Sequence, residues 1–553
     1  MPASRRSPIP RAVQIAATVV LTGCSLPVEN HNLPDRQRLY ADPATIEASL
    51  AGAVQTWLNN RQGGATVMTL VTMADSYTSG WNNYCMRWFS AEPRIAWDNI
   101  TQGCTAPVEG AWYSFYSAMS TANDILLAIR KNGVKIGSEA VTRRAETVSV
   151  MLQGVVLAVI AVNYDSGFVA TEETKSEDFT SLPVLSRQQL RDTALARFEE
   201  ATRLAQAYPF TTPPEWTGSP GGPTYTSAQL VRLMSTLSAE VLALLPRNAA
   251  ENAQVDWARV VALASRGLSA APSFDFEFVS DWSQGGPWDN LKAWGNDVTT
   301  IRVDTRVAQL LSPNQQHPWP APNGNPPPVS ADRRMGDGSY GPEDNYLDMQ
   351  GFAATANAGT DFVWSGLGQL FPSGRGTYHN SNIGRYRYEC ANWIANVPGD
   401  RCQVPLYTIA FNDLLWAEGL IRSGGDRTLA ATLINKTRVG RGGLPAVTGA
   451  EPLNQLLSAL QYEQDIELMD IGSTSFYNRR RIDGLQPLTP RQIPMPYKEL
   501  DLLKRELYTY GGTDHPDMSA PVEGTVGRIK NVRDIYREME AEWWRQVRQR
   551  RRF

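Results

Sequence analysis

The chain has 553 residues, 42% of them apolar and 20% charged, and a formal net charge of −4. That length exceeds one simple core, so two subdomains or one large helical array are expected, and the composition excludes a disordered tail. The near-neutral balance leaves no electrostatic footprint for nucleic acid.

The chain opens with Arg5, Arg6 and Arg11 ahead of a short apolar run, Ala12 to Leu21, which is too short to cross a bilayer. The run ends Leu21-Thr22-Gly23-Cys24, which looks like a bacterial lipobox. Residues 1–23 are therefore expected to be a cleaved signal peptide, with Cys24 acylated in the outer membrane. An ordinary signal peptide with a chance cysteine is the alternative. Residues 24–42 read as a polar tether. Each buried acyl methylene is worth about 0.8 kcal/mol, so two or three chains hold such a protein firmly. No later segment is expected to span a membrane.

Asp42-Pro43 is a cap and first-turn pair that opens a helix to about Arg61. The segment Asp75 to Asn99 reads as a non-helical loop dense in rings: Tyr77, Trp81, Tyr84, Trp88, Phe89 and Trp97. Cys85 with Cys104 and Cys390 with Cys402 form two close pairs, and an exported chain favours disulfides for both. Each short loop so closed is worth about 3 kcal/mol in the chain-entropy account. Zinc is a poor rival, since the spacing is wrong and no histidine adjoins. Further helices are predicted over Glu109 to Lys131, Arg144 to Asn163, Ser186 to Tyr208, Thr226 to Leu245 and Asp256 to Leu268. From Ala270 to Pro405 periodicity mostly disappears, and Gly, Pro, Asn and Trp rise; a run this long is usually functional. It holds Trp282, Trp288, Trp294, Tyr340 and Tyr346, and a stiff proline loop from Pro318 to Pro328.

Beyond Pro405 the helical pattern returns. Tyr407 to Arg422 is predicted helical, and Gly424 and Gly425 stop it. Asp426 caps the next helix, striped by Leu429, Ala430, Leu433 and Ile434. A third runs from about Leu453 to Asp470, and Glu463 and Glu467 extend its leucine stripe. A basic turn with Arg479, Arg480 and Arg481 follows, then a proline-punctuated exit to Leu500. Arg528 to Phe553 reads as a basic amphipathic helix. It fits either an anionic surface or partner, or a solvated tail packed by Trp543 and Trp544.

Chemistry is sparse. No G-x-S-x-G, H-E-x-x-H, P-loop or dinucleotide fingerprint occurs. Glu463 and Glu467 lie four apart on one helix face, as an acid and nucleophile pair could, but carboxylates near arginines are more often structural ion pairs. Asp332, Asp337, Glu343, Asp344 and Asp348 form an acidic loop that misses the calcium-loop spacing and reads as solvated. The four histidines, His31, His317, His379 and His515, lie scattered in loops. No catalytic residue, cofactor or metal is expected. The remaining signal is aromatic rings in loops, which offer apolar faces for sugar C–H groups. Trp81, Tyr84, Trp88, Trp282, Trp288, Trp294, Tyr340 and Tyr346 are the candidates; for any single ring, core packing is the competing role.

Several pieces of the C-terminal block resemble the signature of the SusD/RagB family of surface lipoproteins. These are Ala417-Glu418 in a helix, Ile434-Asn435-Lys436-Thr437-Arg438 before a glycine, the core from Glu463 to Leu468, the arginine-rich turn, and Ile493-Pro494-Met495-Pro496. The family arginine of that core is Gln464 here. The N-terminal WYSFYSAMSTANDILLAIRK segment is similar too. The resemblance implies a mainly α, tetratricopeptide-like array of helical pairs with one loop-rich excursion. The divisions are then a helical part over 43–269, the excursion over 270–404, the signature helices over 405–510, and a linker and basic helix over 511–553. It also implies a non-enzymatic glycan- or peptide-binding lid on a SusC-like TonB-dependent outer-membrane transporter, exposed at the cell surface. A scaffold lipoprotein binding protein partners, or a surface glycan hydrolase, are the alternatives.

Overall fold

The computed structural model describes residues 42–79, 83–89, 94, 96–98, 104–218, 221–281, 286–295, 301–318, 325–336, 359–364, 379–385, 387–388 and 402–511. The expected signal peptide, Cys24, nearly all of the expected tether and the expected basic C-terminal helix lie outside them. Helices longer than one turn are α1 (Pro43–Gln62), α2 (Gly64–Met73), α3 (Ala106–Arg130), α4 (Glu139–Asn163), α5 (Arg187–Ala207), α6 (Ser227–Leu244) and α7 (Trp257–Ala264). They continue with α8 (Asn290–Gly295), α9 (Thr305–Leu311), α10 (Ile409–Arg422), α11 (Arg427–Arg438), α12 (Leu453–Ile466), α13 (Thr474–Arg480) and α14 (Tyr497–Leu502).

Local chemistry sets most of the starts. The Asp42 carboxylate accepts from the Ala44 N–H at 3.0 Å. Ser186 and Thr226 each form a capping box, with Gln189 and Gln229 reaching back. Asp426 accepts from the N–H groups of Thr428 and Leu429. Each such cap is worth about 1 kcal/mol. The helices then pack largely in sequence order: α1 and α2 on α3, α3 on α4, α4 on α5, α5 on α6, α6 on α7, α7 on α10, and α10 on α11 and α12.

Two expectations need correction, and one helix was not anticipated. α4 is, after all, long and apolar enough to cross a membrane, but it is buried inside the array. Its apolar face continues all round because α3, α5 and α6 cover it. Gly154 is part of that fit, since a Cβ there would sit 2.7 Å from the Phe198 ring of α5. The unanticipated helix, α2, has no polar face to betray it. GATVMTLVTM is rich in β-branched residues, and burial on nearly every side makes it a helix. Second, α12 stops at Ile466, not Asp470, and the basic turn is itself the helix α13. The α12 stripe also starts at Leu456, because Leu453 is exposed.

The strands are short and all pair antiparallel. β1 (Tyr77–Thr78) pairs with β6 (Arg302–Val303), β2 (Trp97–Asp98) with β10 (Thr509–Tyr510), and β3 (Ser166–Gly167) with β4 (Leu185–Ser186). β5 (Phe276–Ser280) pairs with β9 (Cys402–Tyr407), and β7 (Phe362–Trp364) with β8 (Ile383–Arg385). Of these, β1–β6 ties the loop-rich excursion to the segment after α2, and β5–β9 closes its two ends against each other beside α10. That excursion also holds α8 and α9, which its composition hid.

Among the described residues two hydrophobic cores result. The large one lies along the helical array, with Trp57, Trp112, Phe115, Leu152 and Phe411. The small one gathers Val67, Met68 and Val71 from α2 with Leu291, Val303, Val307, Phe362 and Ile383 from the excursion, and Ile466 and Met469 at the end of α12. The excursion is thus seated on a core of its own, against two helices of the array.

Candidate functional site

Of the candidate rings, Trp81, Trp282, Tyr340 and Tyr346 lie outside the described residues. Trp88 falls on the single helical turn Met86–Phe89. Tyr77 and Trp97, from the same aromatic segment, are core residues and not surface rings. Tyr84 and Trp294, 210 residues apart in sequence, stack with centroids 5.5 Å apart and planes at 16°. Trp288 is half-buried beside them in sequence, and its backbone N–H donates to Asn59 Oδ1 at 2.7 Å.

The stacked pair is held from beneath. Tyr84 and Cys85 both take left-handed backbone conformations, with φ of 52° and 61°. Such conformations cost about 1 kcal/mol or more for residues of this kind and need support. It comes from the disulfide Cys85–Cys104 and from Thr69 on α2, whose hydroxyl donates to the Tyr84 carbonyl at 2.9 Å. Trp294 rides on α8, whose first turn is fixed by Asp289. That carboxylate accepts from the Lys292 N–H at 2.9 Å and from its ammonium at 2.7 Å. The Lys292 ammonium also donates to the carbonyls of Pro405 and Asp470, each at 3.0 Å. The pair is therefore a pre-set aromatic platform, with Tyr84 37% exposed.

The disulfide has a measurable share in this. Replacing Cys85 and Cys104 by serine opens a loop with a sequence separation of 19 and is expected to cost about 3 kcal/mol. Urea unfolding of both proteins without reductant reads it: the double variant should be less stable by that amount, the Cys402 disulfide being intact in both. Cys402 is also disulfide-bonded; its predicted partner, Cys390, lies outside the described residues.

The carboxylates on α12 have a different job. Glu463 accepts from Arg334 Nη1 at 2.8 Å and Nη2 at 3.1 Å, and Glu467 from Arg334 Nη1 at 3.1 Å. Asp332 accepts from the Nε and Nη2 of the same guanidinium. Glu467 is bound further by Arg387 at 2.8 Å and Arg441 at 2.9 Å. Asp361 and Asp470 extend the network through Arg441 and Arg385. Asp332, Arg334, Glu463 and Glu467 are all at most 3% exposed. A substrate has no access to this pair, and both acids are committed to guanidiniums, so the acid and nucleophile reading of Glu463 and Glu467 falls. The ion-pair reading holds, but with Arg334, Arg387 and Arg441 as partners. Asp332 is correspondingly not part of a solvated acidic loop.

The family-like motif residues are structural in the same way. Glu418 binds Arg481, Arg422 and, at 2.8 Å, Gln464, the residue where an arginine was expected. Asn435 brackets Val447, donating to its carbonyl at 2.7 Å and accepting from its N–H at 3.0 Å.

Two of the scattered histidines meet: the rings of His317 and His379 lie 5.7 Å apart, edge to face. His379 Nδ1 is 3.5 Å from Asp304 and 3.8 Å from Asp75, a donor set that could hold a cation. Three guanidiniums already balance that corner. Arg94 binds Asp75, Arg306 binds Asp465 while its Nε donates to the Asp75 carbonyl, and Arg479 lies 3.8 Å from Asp75. A divalent ion added there would find the carboxylate charge already neutralised.

Comparison with solved structures gives the fold. A SusD-superfamily protein from Bacteroides vulgatus superposes with a TM-score of 0.54 at 14% identity, covering 84% of this chain and 97% of that one. A SusD-like carbohydrate-binding protein from Bacteroides fragilis does so at 0.52 and 11% identity, covering 80% and 86%. A laminarin-binding SusD-like protein does so at 0.50 and 14% identity, covering 84% and 98%. No protein-family model and no curated protein matches the sequence. The chain has the mainly α, SusD-like fold.

Proposed function

We propose that this chain is a non-enzymatic, outer-membrane, lipid-anchored glycan-binding protein that works as a lid on a SusC-like TonB-dependent transporter. The observation that carries the binding half is the Tyr84–Trp294 platform, two rings stacked on a disulfide-braced turn within a SusD-like fold. Sugar rings stack on such faces through their C–H groups, and a rigid aromatic contact loses little entropy on binding. Structural neighbours described as carbohydrate-binding and laminarin-binding support the ligand class. The lipobox ending at Cys24 supports the anchor.

Trp294→Ala is expected to weaken binding of a neutral laminari-oligosaccharide by about tenfold or more, the range of an aromatic hot spot. Isothermal titration checks it; unchanged affinity would move the ligand away from this platform. The partner is tested by purifying the acylated protein from detergent-solubilised outer membrane. A stoichiometric TonB-dependent barrel by mass spectrometry is the expected result, and its absence would overturn the transporter half.

A further inference from the structure

We infer that a second cleft, remote in sequence from the stacked aromatic pair, takes an acidic oligosaccharide and reads its carboxylate with Arg438. This rests on the glycan-binding reading and assigns a charge class and a location to it.

The cleft encloses about 600 Å³ between the end of α9, the 444–447 loop and the exposed side of α12. That is the size of an ordinary small-ligand site. Leu310, Pro445 and the Tyr462 ring give it apolar faces, while Arg438, Glu451 and Gln455 give it polar ones. The Tyr462 ring is fixed: its hydroxyl donates to Asp332 Oδ2 at 2.8 Å, and Arg334 lies 5.8 Å from its centre. Leu310 remains 40% exposed, so part of the apolar lining faces solvent.

The charges decide the ligand class. Of the two acids in the lining, one is neutralised by an arginine and the other keeps its charge but turns it onto its own loop. Asp332 is saturated by Arg334 and Tyr462. Glu451 accepts from the Thr448 N–H at 2.8 Å, the Thr448 hydroxyl at 3.1 Å and the Gly449 N–H at 2.8 Å. Arg438 is not so used. Its Nε donates to the Pro445 carbonyl at 2.7 Å, which fixes the guanidinium against the loop. Among the described residues no carboxylate lies within ion-pair distance of it. Arg333, packed against Gly443 beside the cleft, likewise meets carbonyls, those of Val439 and Gly440, and no carboxylate among the described residues. Among the described residues, Arg438 at the end of α11 and Arg333 against Gly443 thus place two guanidiniums with no carboxylate in ion-pair distance beside a sugar-sized cleft with an aromatic face. A planar guanidinium pairs bidentately with a carboxylate, which a neutral hydroxyl cannot match.

The test uses the full chain in detergent with tetragalacturonate and its fully methyl-esterified form, identical rings with and without charge. The acid is expected to bind at least tenfold more tightly than the ester, with affinity falling as salt rises. Arg438→Ala should remove that tenfold with only a small drop in the thermal midpoint, from the lost Pro445 bond, and with laminari-oligosaccharide binding kept, and Arg438→Lys should restore part of it. Equal binding of acid and ester, or acid binding unaffected by Arg438→Ala, would overturn the assignment. Acid binding lost in Trp294→Ala but kept in Arg438→Ala would overturn it too, and would leave the glycan reading standing. Binding of no oligosaccharide at all would overturn both.

Discussion

Replacing Arg334 by alanine is expected to destabilise the protein by about 3–5 kcal/mol, the usual cost of stranding buried charge. The single guanidinium reaches Asp332, Glu463 and Glu467, and none of the three is more than 3% exposed. Burial alone pushes the Glu463 carboxyl up, and Arg334 is the main force opposing it. Without the arginine these acids must protonate or draw water into a packed site. Methionine at 334 should do no better, because it fills the volume and leaves the charges. Lysine should recover only part, since one ammonium cannot reproduce the five donors of a guanidinium fork. Urea denaturation of the three variants at pH 7 measures this. A loss below about 1 kcal/mol for Arg334→Ala would mean the carboxylates are already solvated.

Acid should act on the same region. Burial works against charge on Glu418, but Arg481 and Arg422 outweigh it and hold the carboxyl at about 2. Asp361 is buried too, and Arg385, Arg387 and Arg441 hold it at about 2. For both groups the folded pKa is depressed, so the unfolded chain binds the proton more readily. Their contribution is therefore fully present above the unfolded values near 4 and is lost as pH falls through them toward 2. Each is worth on the order of 2–3 kcal/mol at neutral pH. Thermal midpoints should stay flat from pH 7 to about 5 and then fall steeply. Glu418→Gln should be less stable at pH 7 and show a shallower fall. A midpoint that does not move between pH 5 and 3 would contradict the arrangement.

Local signals made the helical array legible. Asp42, Ser186, Thr226 and Asp426 are caps whose meaning is complete within three residues, and each opens a helix where expected. The stripe on α11 is of the same kind. α2 escaped because its evidence is tertiary: a helix buried all round has no periodicity to read. The motif residues were recognisable as a pattern, but their purpose was not. Arg334 reaches Glu463 across 129 residues and Glu467 across 133, and the local Asp-Arg-Arg sequence hints only at its bond to Asp332. The aromatic platform was half legible. Tyr84 and Trp294 were both picked as rings in loops, yet nothing in either segment says that they stack on each other. The meeting of His317 with His379 was hidden for the same reason.

The ties between the two ends of the chain also bear on the order in which this molecule can be completed. Gln62 closes α1 by donating to Asp470 O at 3.2 Å and accepting from the Gly472 N–H at 2.7 Å. Tyr77 donates to the Asp470 carboxylate, and Arg61 stands between Glu240 and Tyr407. Gly472 is itself shaped by this contact, because a Cβ there would fall 2.6 Å from Arg61. A polypeptide is made from its N-terminus, so α1 and α2 exist long before the residues that satisfy their buried polar groups. Contacts of such sequence separation form late and slowly. The first helices must then wait, part-assembled and with polar groups unmatched, until residue 472 has emerged. Closure of this fold depends on the last fifth of the chain, and a product truncated before that point is expected to leave its beginning unfinished as well as its end.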